Sequence, residues 1–232
     1  MLNYEVDPDL VRPLAPRGTE IDFFEGRTYV SLVGFMFLDT TVKGLPIPFH
    51  RNFEEVNLRF YVRRRVGDEV RRGVVFVKEI VPRAAIAWAA RTFYGERYIA
   101  LPMRHEISAT HVEYAWQLGR GWNNLAVEIA GSPFLPTAGS EEQFITEHYW
   151  GYAAQPNAGT VEYQVTHPSW KVWRATASSA SVSVRELYGE QFVDTLSAEP
   201  SSAFVAKGSE VTVHSGSRLD VTSPQPATEA HS

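Results

Sequence analysis

A mainly β, α+β fold with an antiparallel sheet and a few short helices is predicted by three observations. Many segments rich in β-branched and aromatic residues recur, short turn signals separate most of them, and helical segments are too few to cover a parallel sheet. The sheet is therefore expected to be closed or two-layered.

The elements follow in order. Asp7 can cap a short helix, Pro8 suits its first position, and Leu10, Val11 and Leu14 supply its apolar face; Pro13 and Pro16 keep it short. Residues 20–24 read as a strand, Glu25-Gly26 as a tight turn, and 27–38 as a long strand. Gly44, Pro46 and Pro48 make 43–52 a loop. Alternation is clean over 55–65: Val56, Leu58, Phe60 and Val62 point one way, and Asn57, Arg59, Tyr61 and Arg63 the other. Gly67-Asp68 turns the chain into a partner strand over 72–81, which Pro82 ends. The alanine-rich segment 84–93, with Trp88, is the strongest helix signal. Strands are then expected over 97–108, 111–118, 123–129, 149–154, 161–167, 171–184 and 203–214, and short helices over 141–146 and 186–194. There is no internal repeat, and one domain spanning 1–216 is expected. Residues 217–232, mostly Ser, Thr, Pro and Glu, are expected as a disordered tail.

Bulk composition narrows the function classes. The 232 residues include no cysteine, which excludes thiol catalysis, disulfides and thiolate-bound zinc. A net charge of -5 argues against nucleic acid as a partner. No run approaches the roughly 20 apolar residues that span a bilayer. The opening residues lack the basic and then apolar regions of a signal peptide, so a cytoplasmic location without membrane association is expected.

Common catalytic signatures are absent: no glycine-rich phosphate loop, no His-Glu-x-x-His and no Gly-x-Ser-x-Gly elbow. His105-Glu106 and His111 lie on neighbouring strands at a spacing too irregular for a metal site, so no metal or other cofactor is expected. Glu147-His148-Tyr149 reads as a polar surface rim. The Asn57, Arg59 and Tyr61 face looks either to water or to the lumen of a closed sheet. In a lumen, arginine needs an acidic partner or a bound carboxylate.

A resemblance to a known family adds to this reading. The stretch Leu2 to Pro16, then Glu20-Ile21-Asp22, Val33-Gly34-Phe35, Glu55 to Val62, Arg72-Gly73-Val74-Val75-Phe76 and Pro200 to Ser209 together resemble, over nearly the whole chain, the uncharacterised YqjF-type family, a domain of unknown function. That family is similar in fold to acetoacetate decarboxylase, which implies a cone-shaped antiparallel barrel with a closed pocket. The decarboxylase acts through a lysine that forms a Schiff base, beside a second lysine that lowers its pKa.

The resemblance places Arg97 and Tyr98 at the positions of that lysine pair, and Glu5 at that of a substrate-binding arginine. A guanidinium forms no imine, and Lys78, at a strand end, is a poor substitute. Schiff-base decarboxylation is therefore not expected. The resemblance leaves a receptacle for a small keto or carboxylic acid, with Arg97 as anchor and Asn57, Arg59, Arg91, Tyr94, Tyr98 and Arg104 as further ligand-binding candidates. Three alternatives stay open: a binding protein, a lyase, isomerase or hydratase using Arg97 with Tyr98 or Glu96, and a structural protein that inherited the fold. A homodimer is expected, with the strands around Trp116, Trp122 and Trp150 as its interface unless those rings are core.

Overall fold

The computed structural model of the protein describes residues 1–42, 45–46, 52–82, 97–155 and 159–219. Its strands are β1 (Leu2–Val6), β2 (Glu20–Ile21), β3 (Thr28–Phe37), β4 (Thr41–Val42), β5 (Leu45–Pro46), β6 (Phe53–Val66), β7 (Glu69–Val81), β8 (Tyr98–Ala100) and β9 (Met103–Ile107). They continue as β10 (His111–Leu118), β11 (Gly121–Ile129), β12 (Trp150–Ala154), β13 (Thr160–Thr166), β14 (Val172–Ser181), β15 (Ser202–Ala206), β16 (Thr212–Val213) and β17 (Ser217–Leu219).

Local chemistry explains the helices. Asp7 accepts from the Asp9 amide at 2.9 Å and starts Pro8–Val11, with Pro8 in its first turn. Ser140 accepts from the Gln143 amide and starts Glu141–Thr146, whose first turn carries Glu141 and Glu142. The helix expected over 186–194 is three short pieces, Val184–Tyr188, Glu190–Phe192 and Val193–Ser197, broken at Gly189, whose φ of 101° no helix accepts. The helix expected over 84–93 lies outside the described residues.

One large sheet runs β16-β13-β12-β7-β6-β3-β1-β15-β14-β11-β10-β9. Its centre is the β6–β7 hairpin, turned at Gly67 and shifted in register between Leu58 and Arg59. Most pairings are antiparallel, as expected. The far edge of β7 is the exception: it takes β12 at Gly73–Val74 and β8 at Glu79–Val81, both parallel. Neither neighbour reaches β7 by a tight turn, so hairpin geometry does not dictate direction there. The single strand expected over 97–108 divides at Leu101-Pro102: β8 lies on β7, whereas β9 lies on β10. The hydrogen-bonded path is open at β9, but this continuous segment borders both halves of the sheet. Tyr114 of β10 lies directly over Gly34 of β3, across the interior.

The main core lies inside this curl. Val56, Leu58, Phe60 and Val62 of β6, Leu2 and Tyr4 of β1, Trp116 and Leu125 opposite, and Leu187, Tyr188 and Phe192 form one buried cluster. The alternation along β6 thus places the expected side chains in the core. Both faces of β6 are covered, because Tyr61 joins a second cluster with Tyr29, Phe144 and Ile145.

Two further observations bear on the expectations above. Residues 217–219, assigned above to a disordered tail, pair as β17 with Thr160–Glu162 of β13; a long-range partner orders a segment with no local apolar pattern. Of the three tryptophans, Trp116 is fully buried, Trp150 lies beneath the Arg71 guanidinium at 4.3 Å, and only Trp122 is exposed, at 43 %.

The β7–β12 contact depends on Gly73. A Cβ there would stand 2.6 Å from the Trp150 carbonyl oxygen and 2.6 Å from the Tyr152 ring. Gly73→Ala is expected to lower stability by about 1–3 kcal/mol, the usual cost of overpacking. Gly121→Ala, whose nearest neighbour is 3.8 Å away, is the control and should unfold with the wild type. Equal melting temperatures for the two variants in a thermal denaturation would refute the assignment.

Candidate functional site

A buried polar cluster sits on the face of β6–β7–β8 opposite the main core. Alternation along β6 places Glu55 and Asn57 on that face, register sets Asn57 beside Glu79 on β7, and Tyr98 on β8 is the register partner of Glu79. Glu55, Asn57 and Glu79 are each 2 % exposed. Asn57 Nδ2 donates to Glu55 Oε1 at 3.0 Å, and the hydroxyl of half-buried Tyr98 donates to Glu55 Oε2 at 3.1 Å. Phe53, Val81, Phe37 and the Tyr98 ring form an apolar wall at one end.

This setting changes the acid chemistry of the group. Burial pushes the Glu55 carboxyl up to about 7, against the opposing pull of the Asn57 and Tyr98 hydrogen bonds and of the Arg59 charge. Tyr98 is driven well above the ordinary phenol value by burial and then by the neighbouring Glu55 and Glu79. Near neutrality the cluster therefore holds an exchangeable proton on a carboxyl beside a neutral phenol. It can donate a hydrogen bond to a carbonyl, or give up and recover a proton.

The expected site residues are distributed as follows. Asn57 and Tyr98 belong to the cluster. Arg59 lies further along the same strand, donating from Nη2 to the Ile145 carbonyl at 3.1 Å and lying 5.6 Å from the Tyr61 ring centroid. Its buried Nε has no hydrogen-bond partner among the described residues. Arg97 is exposed and borders a void of about 20 Å³, room for roughly one water, together with Leu14, Val75, Phe76, Val77 and Tyr152–Ala154. Its charge acts with burial to lower Lys78, whose ammonium donates to the Leu187 carbonyl. Arg104 is exposed, 4.3 Å over Trp122, and outside the cluster. Arg91, Tyr94 and Glu96 fall outside the described residues. A larger hollow of about 480 Å³ is open on the surface around Glu5, Asp7 and Arg27 and shares no residue with the cluster.

Glu55 and Glu79 are not singled out by the sequence reading. The polar alternation that marks Asn57, Arg59 and Tyr61 extends back to Glu55, so a signal exists for it; Glu79 is identified only once the hairpin register is known. His148 is a second omission. In the expected surface rim Glu147 bonds to Gln143 and Ser169, but His148 is buried. Its Nδ1 lies 2.6 Å from the Phe144 carbonyl oxygen and its Nε2 3.0 Å from Asp22 Oδ2, which accepts from Arg72 Nε at 2.7 Å. His105 and His111 do not converge: the former pairs with Glu54 at 2.7 Å, the latter with Glu128 at 2.6 Å. Among the described residues, no three His, Asp or Glu side chains gather as a metal site.

Comparisons with known proteins agree with the fold. The model of the DUF2071 family, an uncharacterized conserved protein, matches residues 1–210. The uncharacterized protein YqjF of Bacillus subtilis (strain 168) is 26 % identical over 191 residues, covering 81 % of this chain and 77 % of its own. Among solved structures, acetoacetate decarboxylase from Legionella pneumophila superposes with a TM-score of 0.61 at 11 % identity, over 94 % of this chain and 82 % of the other. An acetoacetate decarboxylase-like enzyme from Sphingomonas wittichii RW1 gives 0.59 at 14 % identity, over 94 % and 89 %. The enduracididine biosynthesis enzyme MppR complexed with pyruvate also gives 0.59 at 14 %, over 94 % and 81 %. Identities this low speak to fold alone.

Proposed function

The chain belongs to the DUF2071 family, and from that premise we propose that it binds a small keto or carboxylic acid at the Glu55–Asn57–Glu79–Tyr98 cluster without Schiff-base chemistry. The observation that carries this reading is Glu55: a buried carboxyl near neutral pKa, held by two donors on a sheet face of a decarboxylase-like fold. In its protonated form it suits a carbonyl oxygen. Arg59, whose charge acts on Glu55 and whose buried Nε is unused among the described residues, is the cation proposed to hold a carboxylate; Arg97 faces the other side of the sheet. Pyruvate in the fold neighbour MppR supports the ligand class by analogy. A cytoplasmic setting is part of the proposal.

A second reading, an enzyme that moves a proton next to a carbonyl, is favoured by the same pKa, because a general acid or base works best near ambient pH. The absence of a lysine pair at Arg97-Tyr98 argues against imine decarboxylation in either reading.

Thermal shift with pyruvate and acetoacetate tests binding. At ligand about tenfold above Kd the wild type should gain about 1.4 kcal/mol, or roughly 3–6 °C. Tyr98→Phe and Arg59→Met should gain less. No shift with any acid, or equal shifts in all three proteins, defeats the binding reading. Exchange of the pyruvate methyl protons into deuterium oxide, followed by proton NMR, separates the enzyme: it should be catalysed by the wild type and lost in Glu55→Gln.

A further inference from the structure

Among the described residues strand β9 ends the large sheet and pairs only with β10, while the His105 ring reaches Glu54 of β6 at 2.7 Å. Such an edge presents unpaired backbone donors and acceptors, which proteins ordinarily guard with charge, bulges or a covering element. Arg104 to Ile107 are all exposed, and Ile107 is 52 % exposed although its β10 register partner is Val112.

The order of side chains along this edge reads as its own complement. Met103-Arg104-His105-Glu106-Ile107 places an apolar residue at each end, a cation second, an anion fourth and histidine at the centre. Among the described residues neither Arg104 nor Glu106 forms an ion pair within the chain; Arg104 is engaged only with the Trp122 ring. If the strand meets a second copy antiparallel about His105, Arg104 lies opposite the partner's Glu106 and Met103 opposite the partner's Ile107, each twice by symmetry.

We propose that the protein forms a two-fold dimer by antiparallel pairing of β9 with β9 of a second copy, centred on His105. An isologous interface requires a self-complementary surface, and these five residues supply one in backbone direction, charge and apolar character. The sheet continues across the two-fold axis, and the Arg104–Trp122 stack, with an indole 43 % exposed, flanks the pairing on the outer face. A five-residue strand pair is small for a stable interface, so the dimer forms with a dissociation constant on the order of micromolar. This surface is distinct from the Glu55 cluster and does not depend on the ligand reading above.

Sedimentation equilibrium on the full chain tests it through charge reversal. The wild type should dimerise. Arg104→Glu sets two carboxylates against each other across the axis, and Glu106→Arg sets two cations together; each should weaken association about tenfold or more. The double variant R104E/E106R restores opposite charges with reversed sense and should recover the dimer, which a merely destabilising substitution would not do. Because the chain has no cysteine, His105→Cys gives a second readout. Directly opposed residues of antiparallel strands have Cα atoms about 4.5–5.5 Å apart, within disulfide reach, so mild oxidation should yield a covalent dimer. A monomeric wild type, single variants that still dimerise, a double variant that stays dissociated, or failure of the His105→Cys variant to cross-link would each overturn the proposal.

Discussion

Glu55→Gln is expected to stabilise the protein at pH 8 by on the order of 3 kcal/mol and to leave it nearly unchanged at pH 4. The folded-state pKa of Glu55, about 7, lies above its ordinary value of 4.5. The unfolded chain therefore releases this proton between those values while the folded chain keeps it. Stability falls as pH rises through that window, and the full cost of a buried carboxylate is present above it. Glutamine is neutral at every pH and removes the slope. The site can accommodate it: Asn57 Oδ1 is buried without a hydrogen-bond partner, so a flipped Asn57 amide accepts from the new NH2 while the glutamine carbonyl accepts from Tyr98. Urea denaturation of both proteins from pH 4 to pH 8 checks this. A wild-type stability that does not decline over that range relative to the variant would disprove the assignment.

Asp22→Ala should cost about 1–3 kcal/mol, because it leaves the buried His148 ring without its partner while the half-exposed Arg72 reaches water. Asp22 is 2 % exposed and joins two segments 50 and 126 residues away in sequence, through Arg72 and His148. The loss should also remove part of the acid sensitivity. Hydrogen bonds from His148 and Arg72 outweigh burial and hold the Asp22 carboxyl below its ordinary value. Its contribution is therefore present above the unfolded pKa of 3.8 and lost as pH falls through the lowered one. Burial likewise holds His148 below the ordinary imidazole value, against the pull of Asp22. The folded state thus resists charging this ring, and stability declines as pH drops below 6.5. The variant's melting temperature should be lower at pH 7 and vary less below pH 5; a change of under about 1 kcal/mol would mean that the group is not cooperative in the sense described.

What is legible in the sequence is what short-range physics controls. The alternation from Val56 to Val62 locates the central strand and its core face, because a two-residue period is a local property. The helix at Glu141–Thr146 carries its own cap in Ser140 and is located to the residue. Class and fold family follow from the number of such segments and from dispersed motifs. The candidate site is half legible. Asn57 and Tyr98 are named by the sequence, but Glu55 and Glu79 join them through the register of β6 with β7 and of β7 with β8, which no local pattern specifies. Arg97 reads as an anchor from its alignment with a catalytic amine, yet its neighbour Tyr98 turns inward while Arg97 is exposed: successive strand residues face opposite ways. Ser217–Leu219 is illegible for a related reason, its order coming from β13 some 57 residues earlier.

The position of β1 bears on how the sheet is assembled. Leu2 pairs with Leu32 on one side and with Ala203 on the other, so the first strand obtains its second neighbour only from a segment about two hundred residues later. On a ribosome β1 and β3 can associate early, but the seam between β1 and β15 stays unsealed until residues 202–206 have been made. Closing so long a loop is entropically costly and slow, and the exposed β1 border is meanwhile available to other chains. Production at low temperature, or with chaperones that shield strand borders, should therefore raise the soluble yield more than stabilising the finished core would.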